Sequence, residues 1–161
     1  MQIWVDADAC PGEIKELLYR AAKRTQTRVT LVANQALRTP RSEFIDSIMV
    51  PSGMNVADRR IVELAESGDL VITADIPLAA EVVAKGAQGL DPRGELYTDA
   101  NVGERLAVRN LFDELRGGGQ ITGGPSNFTA KDRQAFANQL DRWLTAADSE
   151  DPNKVWDIEL D

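Results

Sequence analysis

The feature that most constrains this chain is its opening. Ile3-Trp4-Val5 is followed by Asp6 and Asp8, and Cys10-Pro11 then leads into a periodic segment. Three large apolar residues in a row read as a strand buried on both faces, and Pro11 suits the first turn of a helix. A strand that passes through acids into a helix begins a β-α-β unit. Open sheets built from such units place their chemistry outside the carboxyl ends of the strands. Two carboxylates converging there make a poor core and a good cation site. The plainer alternative has one acid capping the helix and the other in solvent.

The rest of the chain keeps the alternation. Residues 12 to 24 put Ile14, Leu17, Leu18 and Ala21 on one helical face. Val29 to Ala33 is a second strand, ending in Asn34-Gln35. Pro40 bars a regular element through 36 to 43, where Arg38 and Arg41 read equally as phosphate contacts or solvated loop charges. Phe44 to Val50 suits a third strand. Asn55 to Glu66 is a helix, with Asn55 and Asp58 at the spacing of a capping box. Leu70 to Thr73 gives a fourth strand, and Asp75 precedes a helix that Pro77 opens and Gly86 terminates.

Ala87 to Tyr97, with Gly89, Pro92 and Gly94, is expected to be a short strand and turn at most. A helix over about 102 to 116 should bury Leu106, Leu111, Phe112 and Leu115 behind an Asn101/Glu104 capping box. Gly117-Gly118-Gly119 ends it, and Thr122 to Asn127 reads as a flexible loop. The last helix runs from Thr129 to about Ala147, capped by Thr129 and Asp132, with Phe136, Leu140, Trp143 and Leu144 inward. The expectation is one α/β domain over 1–147, a mostly parallel sheet between two helical layers. An acidic tail, 148–161, follows, in which Trp156 and Ile158 could dock locally.

Composition narrows the chemistry. The 161 residues include no histidine and one cysteine, which removes imidazole bases, histidine-built zinc sites and internal disulfides. The cysteine use and the absence of a long apolar run suggest a cytoplasmic chain with no membrane span. A metal site would have to be all oxygen, favouring magnesium or manganese. The net charge of −8 gives no general attraction to nucleic acid. Residues 148–161 hold six acids and one lysine, so the body carries only about −3 and leaves room for a local basic surface. Neither the phosphate-loop pattern nor the dinucleotide fingerprint is present.

In a parallel sheet the acids Asp6, Asp8 and Asp75 follow strand ends on one edge, and Asp58 in a first helical turn belongs near it. Four acids so gathered would raise one another's pKa values unless a divalent cation neutralised them. Metal-assisted hydrolysis of a phosphodiester is the reaction such a site supports best. Each acid also has a structural explanation, Asp58 and Asp75 as helix caps among them. Asp99 is accounted for by helix-start duty, and Cys10 reads as a small buried hydrophobe rather than a reactive thiolate.

Five runs carry a resemblance: Val-Asp-Ala-Asp-Ala-Cys-Pro (5 to 11), Leu-Val-Ala-Asn-Gln (31 to 35), Ala-Asp-Arg-Arg-Ile (57 to 61), Val-Ile-Thr-Ala-Asp-Ile-Pro-Leu-Ala (71 to 79) and Asp-Pro-Arg-Gly-Glu-Leu-Tyr (91 to 97). They resemble the YaiI/YqxD family of uncharacterised bacterial proteins, which itself looks like a branch of the PIN-like nuclease superfamily. The resemblance implies that Asp6 is the first-strand acid, Asp58 the helix acid and Asp75 the later-strand acid of a metal site, with Asp8 an added ligand or support. The leading expectation is thus a magnesium- or manganese-dependent nuclease acting on RNA, with Asn34, Arg38, Arg41, Arg59, Arg60 and Arg93 as candidate substrate contacts. Two alternatives stand beside it. One is a small-molecule phosphate-ester hydrolase with Asp6 as nucleophile and Asp8 as acid/base. The other is a non-catalytic module that binds nucleic acid, nucleotide or protein. A dimer contact through Trp143, Trp156 or the later helices is open.

Overall fold

A computed structural model describes residues 1–117 and 127–150, with side chains to residue 147. The glycine-rich loop expected between the last two helices, and the tail beyond Glu150 with Trp156 and Ile158, lie outside these residues. The elements are β1 (Ile3–Asp6), a 3-10 turn (Ala7–Ala9), α1 (Gly12–Thr25), β2 (Val29–Ala33), β3 (Ile45–Met49), α2 (Val56–Leu64), β4 (Leu70–Ile72), α3 (Ile76–Ala84), β5 (Gln88–Leu90), β6 (Leu96–Tyr97), α4 (Val102–Gly117) and α5 (Ala130–Glu150).

The sheet order is β3-β2-β1-β4-β5-β6, parallel except for the β5–β6 pair. The chain builds outward from β1 to β3, then crosses back to lay β4 on the other side of β1. This reversal opens a crevice at the carboxyl ends of β1 and β4, the place where open α/β sheets bind ligands. Alternation along β1 divides the core. Ile3 and Val5 face α1 and α5 with Ile14, Leu18, Phe136 and Leu144, whereas Trp4 faces α2 and α3 with Ile61, Leu78 and Val82.

Four expectations need correction. Residues 87 to 97 form two strands, β5 and β6, paired as an antiparallel hairpin at the sheet edge. Their turn carries Gly94 at φ +97°, where a Cβ would meet Ala135 and Phe136 backbone at 2.6–2.8 Å, so close docking of α5 demands glycine. The Asn55/Asp58 capping box does not form. Asn55 adopts a left-handed conformation (φ 63°) and makes no side-chain capping bond, since that geometry turns the amide away from the helix amides.

The Asn101/Glu104 box is also absent. Asn101 instead accepts from Thr98 N and donates to Leu96 O, so its amide closes the turn between β6 and α4. Finally, α4 buries none of its residues: Leu106 and Leu115 are half-buried and Leu111 and Phe112 exposed. Its start packs on α3 and β6 through Val102, next to Tyr97 and Val83. Periodicity gave the apolar stripe but not what would cover it. By contrast Thr129 and Asp132 make the expected capping box, each backbone N–H donating to the other's side chain. No helix among the described residues is long and apolar enough to cross a membrane.

Candidate functional site

The crevice holds the predicted acids. Asp6 ends β1, half-buried, and its Oδ2 accepts the Thr73 hydroxyl at 2.9 Å. Thr73, buried just past β4, has Oγ1 in turn accepting from Asp75 N at 3.0 Å, which directs its proton at Asp6. Asp75 caps α3, Oδ1 accepting from Leu78 N at 3.0 Å. One acid from β1 and one from the start of α3 are therefore linked through a single hydroxyl, with Pro77 in the first turn as expected.

Asp58 arrives from α2. Freed of capping duty by the turned Asn55, its carboxyl lies within side-chain hydrogen-bonding reach of Asp75. It is pushed up to about 6 by burial, then by the Asp75 and Asp6 charges, with a further contribution from Glu81. Asp6 is raised as well, chiefly by burial, with the Thr73 bond opposing and the Asp75 and Asp8 charges adding. Asp6, Asp58 and Asp75 thus feel one another across the crevice. Asp8 is more peripheral: it is exposed, and its Oδ2 accepts from Asn34 N at 2.9 Å, tying the 3-10 turn to the end of β2.

Among the described residues no three acidic or cysteine side chains stand close enough together to form a ready metal-ligand group. The arrangement sets Asp58 beside Asp75, with Asp6 close enough for its charge to raise Asp58. The donor chemistry nonetheless fits an oxygen-seeking divalent ion, because Asp6 and Asp58 are raised by burial and by neighbouring acids with no basic side chain among the described residues offsetting either. Cys10 does not join them. It is buried, its thiol contacts Pro11 O, and burial pushes it up to about 12.

The basic candidates separate. Asn34 gives its backbone N–H to Asp8, while Arg38 and Arg41 are exposed and make no ion pair among the described residues. Arg59, exposed on α2 directly after Asp58, lines a groove with Ile48, Val50 and Val56. Arg60 pairs with Glu63. Arg93 is engaged by Asp132 at 2.9 Å and sits over the Phe128 ring, holding the β5–β6 turn to the start of α5.

Two residues were missed. Thr73 looked like the end of a strand; a polar residue two before Asp75 at a buried strand's end was the available signal. Asp69 lies between α2 and β4. It is buried and accepts from Gln2 N, Glu66 N and Trp4 Nε1 at 2.9–3.0 Å, locking β1 to the start of β4 on the opposite edge from the acids.

Comparison with known proteins agrees with the resemblance in the sequence. The family described as "Uncharacterized BCR, YaiI/YqxD family" matches residues 4–146. Curated relatives, each named only "UPF0178 protein" with or without a locus tag, span nearly their whole lengths. The Dechloromonas aromatica protein is 62% identical over 144 residues, 89% of this chain and 96% of the relative. The Shewanella amazonensis protein is 63% identical over 144 residues, 89% and 97%, and the Pectobacterium carotovorum protein 60% over 147 residues, 91% and 98%. No solved structure matches the chain. With its three-layer sheet and these relatives, the chain belongs to the YaiI/YqxD family of uncharacterised bacterial proteins.

Proposed function

We propose that the chain is a magnesium- or manganese-dependent phosphodiesterase that cleaves RNA. The observation carrying this reading is the convergence of Asp6, Asp58 and Asp75 from three separate segments on one crevice, with Asp58 raised to about 6 and released from helix capping. The likeness of the family to PIN-like nucleases points the same way. Asp6, Asp58 and Asp75 would hold the ion, with Asp8 as an added ligand or support. Once bound, it would polarise a phosphoryl group and lower the pKa of a water.

The chain's own residues have defined tasks. Thr73 fixes the orientation of Asp6 and leaves Asp6 Oδ1 without a protein partner among the described residues. Asp75 Oδ1 is committed to the α3 cap, which leaves Oδ2 as the oxygen it can offer to an ion. Asp58, raised to about 6, must give up its proton to serve as a ligand, so ion affinity should weaken as pH falls below that value. The aspartyl-phosphate alternative has less support, since Asp8 is engaged by the Asn34 amide and no lysine pairs with either acid among the described residues.

The test is a calorimetric titration of manganese into wild type and Asp6→Asn at low salt, followed by cleavage of labelled RNA. Binding and cleavage are both expected in wild type, and both should be lost in Asp6→Asn and Asp75→Asn. Cleavage that survives both substitutions would sink the reading. Absence of any divalent-ion effect on wild type would favour a non-catalytic binding module.

A further inference from the structure

Three of the six large apolar side chains exposed among the described residues lie on α4: Val108, Leu111 and Phe112, at 38%, 54% and 43%. Between α4 and the start of α3 runs a groove of about 240 Å³. Ile76, Tyr97, Val108 and Phe112 wall it, and Arg105, Arg109 and Arg116 rim it. Ile76 directly follows Asp75, so the groove and the acid crevice share the first turn of α3.

We propose that this groove binds single-stranded RNA, with the arginines on the phosphates and Phe112 under a base. The inference rests on the phosphodiesterase reading and names where its substrate lies. It assigns the local basic surface that an acidic chain needs to a place different from the arginines singled out in the sequence.

The charge pattern supports the assignment. Arg105 pairs with Glu95, while Arg109 and Arg116 share one acid, Asp113, at 3.1 and 3.7 Å. Among the side chains lining the groove, three guanidinium groups against two carboxylates leave a local surplus of one positive charge within a chain of net charge −8. Arg105 Nε is held on the buried Glu95 Oε1, whereas Arg109 and Arg116 are about half exposed (43% and 56%), so their pairs with Asp113 are screened and weak. A phosphate offers charge-assisted, bidentate hydrogen bonds that outcompete them. A positive track beside an exposed aromatic face is what sequence-tolerant single-strand binding requires, and a duplex cannot lay an unpaired base on Phe112. The same groove accounts for the exposure of Val108 and Phe112 on α4, though not of Leu111, which does not line it.

The experiment is fluorescence anisotropy of a fluorescein-labelled ten-nucleotide oligouridylate with the full chain, in EDTA and low salt, so that no cleavage intervenes. Wild type is expected to bind at micromolar concentration. The combined Arg105→Gln, Arg109→Gln, Arg116→Gln variant should lose at least tenfold, with a salt dependence shallower by about two to three contacts. Phe112→Ser should lose about tenfold with the salt dependence unchanged, and thermal melts check that both variants fold. No binding by wild type, binding kept in both groove variants, or equal affinity for duplex RNA would overturn the proposal. So would a dimer in gel filtration that buries Phe112. RNA bound here but never cleaved with manganese would defeat the catalytic reading and leave this site standing.

Discussion

Replacing Asp58 by asparagine should stabilise the metal-free protein at neutral pH, although Asp58 sits in the candidate site. Its carboxyl is raised from the ordinary 3.8 to about 6 by burial and by the neighbouring Asp75 and Asp6 charges. An acid raised on folding holds its proton more tightly in the folded state. Its contribution is therefore full below 3.8 and lost as pH rises through about 6, where ionisation penalises the fold. At about 1.4 kcal/mol per unit the interval corresponds to no more than about 3 kcal/mol. Solvent screening of this half-buried group reduces the figure to about 1 kcal/mol. Asparagine keeps a donor for Asp75 and carries no charge. In urea and thermal unfolding with EDTA, Asp58→Asn should gain about 1 kcal/mol, or about 2–4 °C in Tm, at pH 7.5. The gain should shrink as pH falls towards 4. Loss of stability at pH 7.5, or a difference independent of pH, would refute the reasoning and make Asp58 an ordinary structural acceptor.

Thr73→Val keeps the shape but removes the hydroxyl that joins Asp6 to the Asp75 amide. Two half-buried partners lose their hydrogen bond, so urea unfolding should show a loss of about 1 kcal/mol. Manganese affinity should also fall, because Asp6 loses the one hydrogen bond that opposes its raised pKa. Asp69→Ala strips the acceptor from Gln2 N, Glu66 N and Trp4 Nε1 and should cost about 3 kcal/mol or more, with a change in Trp4 fluorescence. An unaltered unfolding midpoint would show that water replaces that carboxylate.

The sequence alone determined the strands β1 to β4, the helices α1, α2, α3 and α5, and the edge on which the acids lie. These follow from local facts: continuous apolar runs of strand length, apolar residues at helical spacing, and the polarity of a parallel sheet. Asp75 as a cap and the Thr129/Asp132 box were equally local, since each involves partners three residues apart. Tertiary structure decided the rest. Asn55 and Asp58 have the spacing of a capping box, yet one left-handed residue turns the amide away and hands Asp58 to the crevice. Glycine and proline in 87–97 left room for one short strand and a turn, but β4 supplies the neighbour on which β5 and then β6 pair. The apolar stripe of α4 was visible, whereas its exposure beside three arginines was not. Periodicity records which side chains share a face. Which face meets protein, solvent or ligand depends on residues far away in the chain.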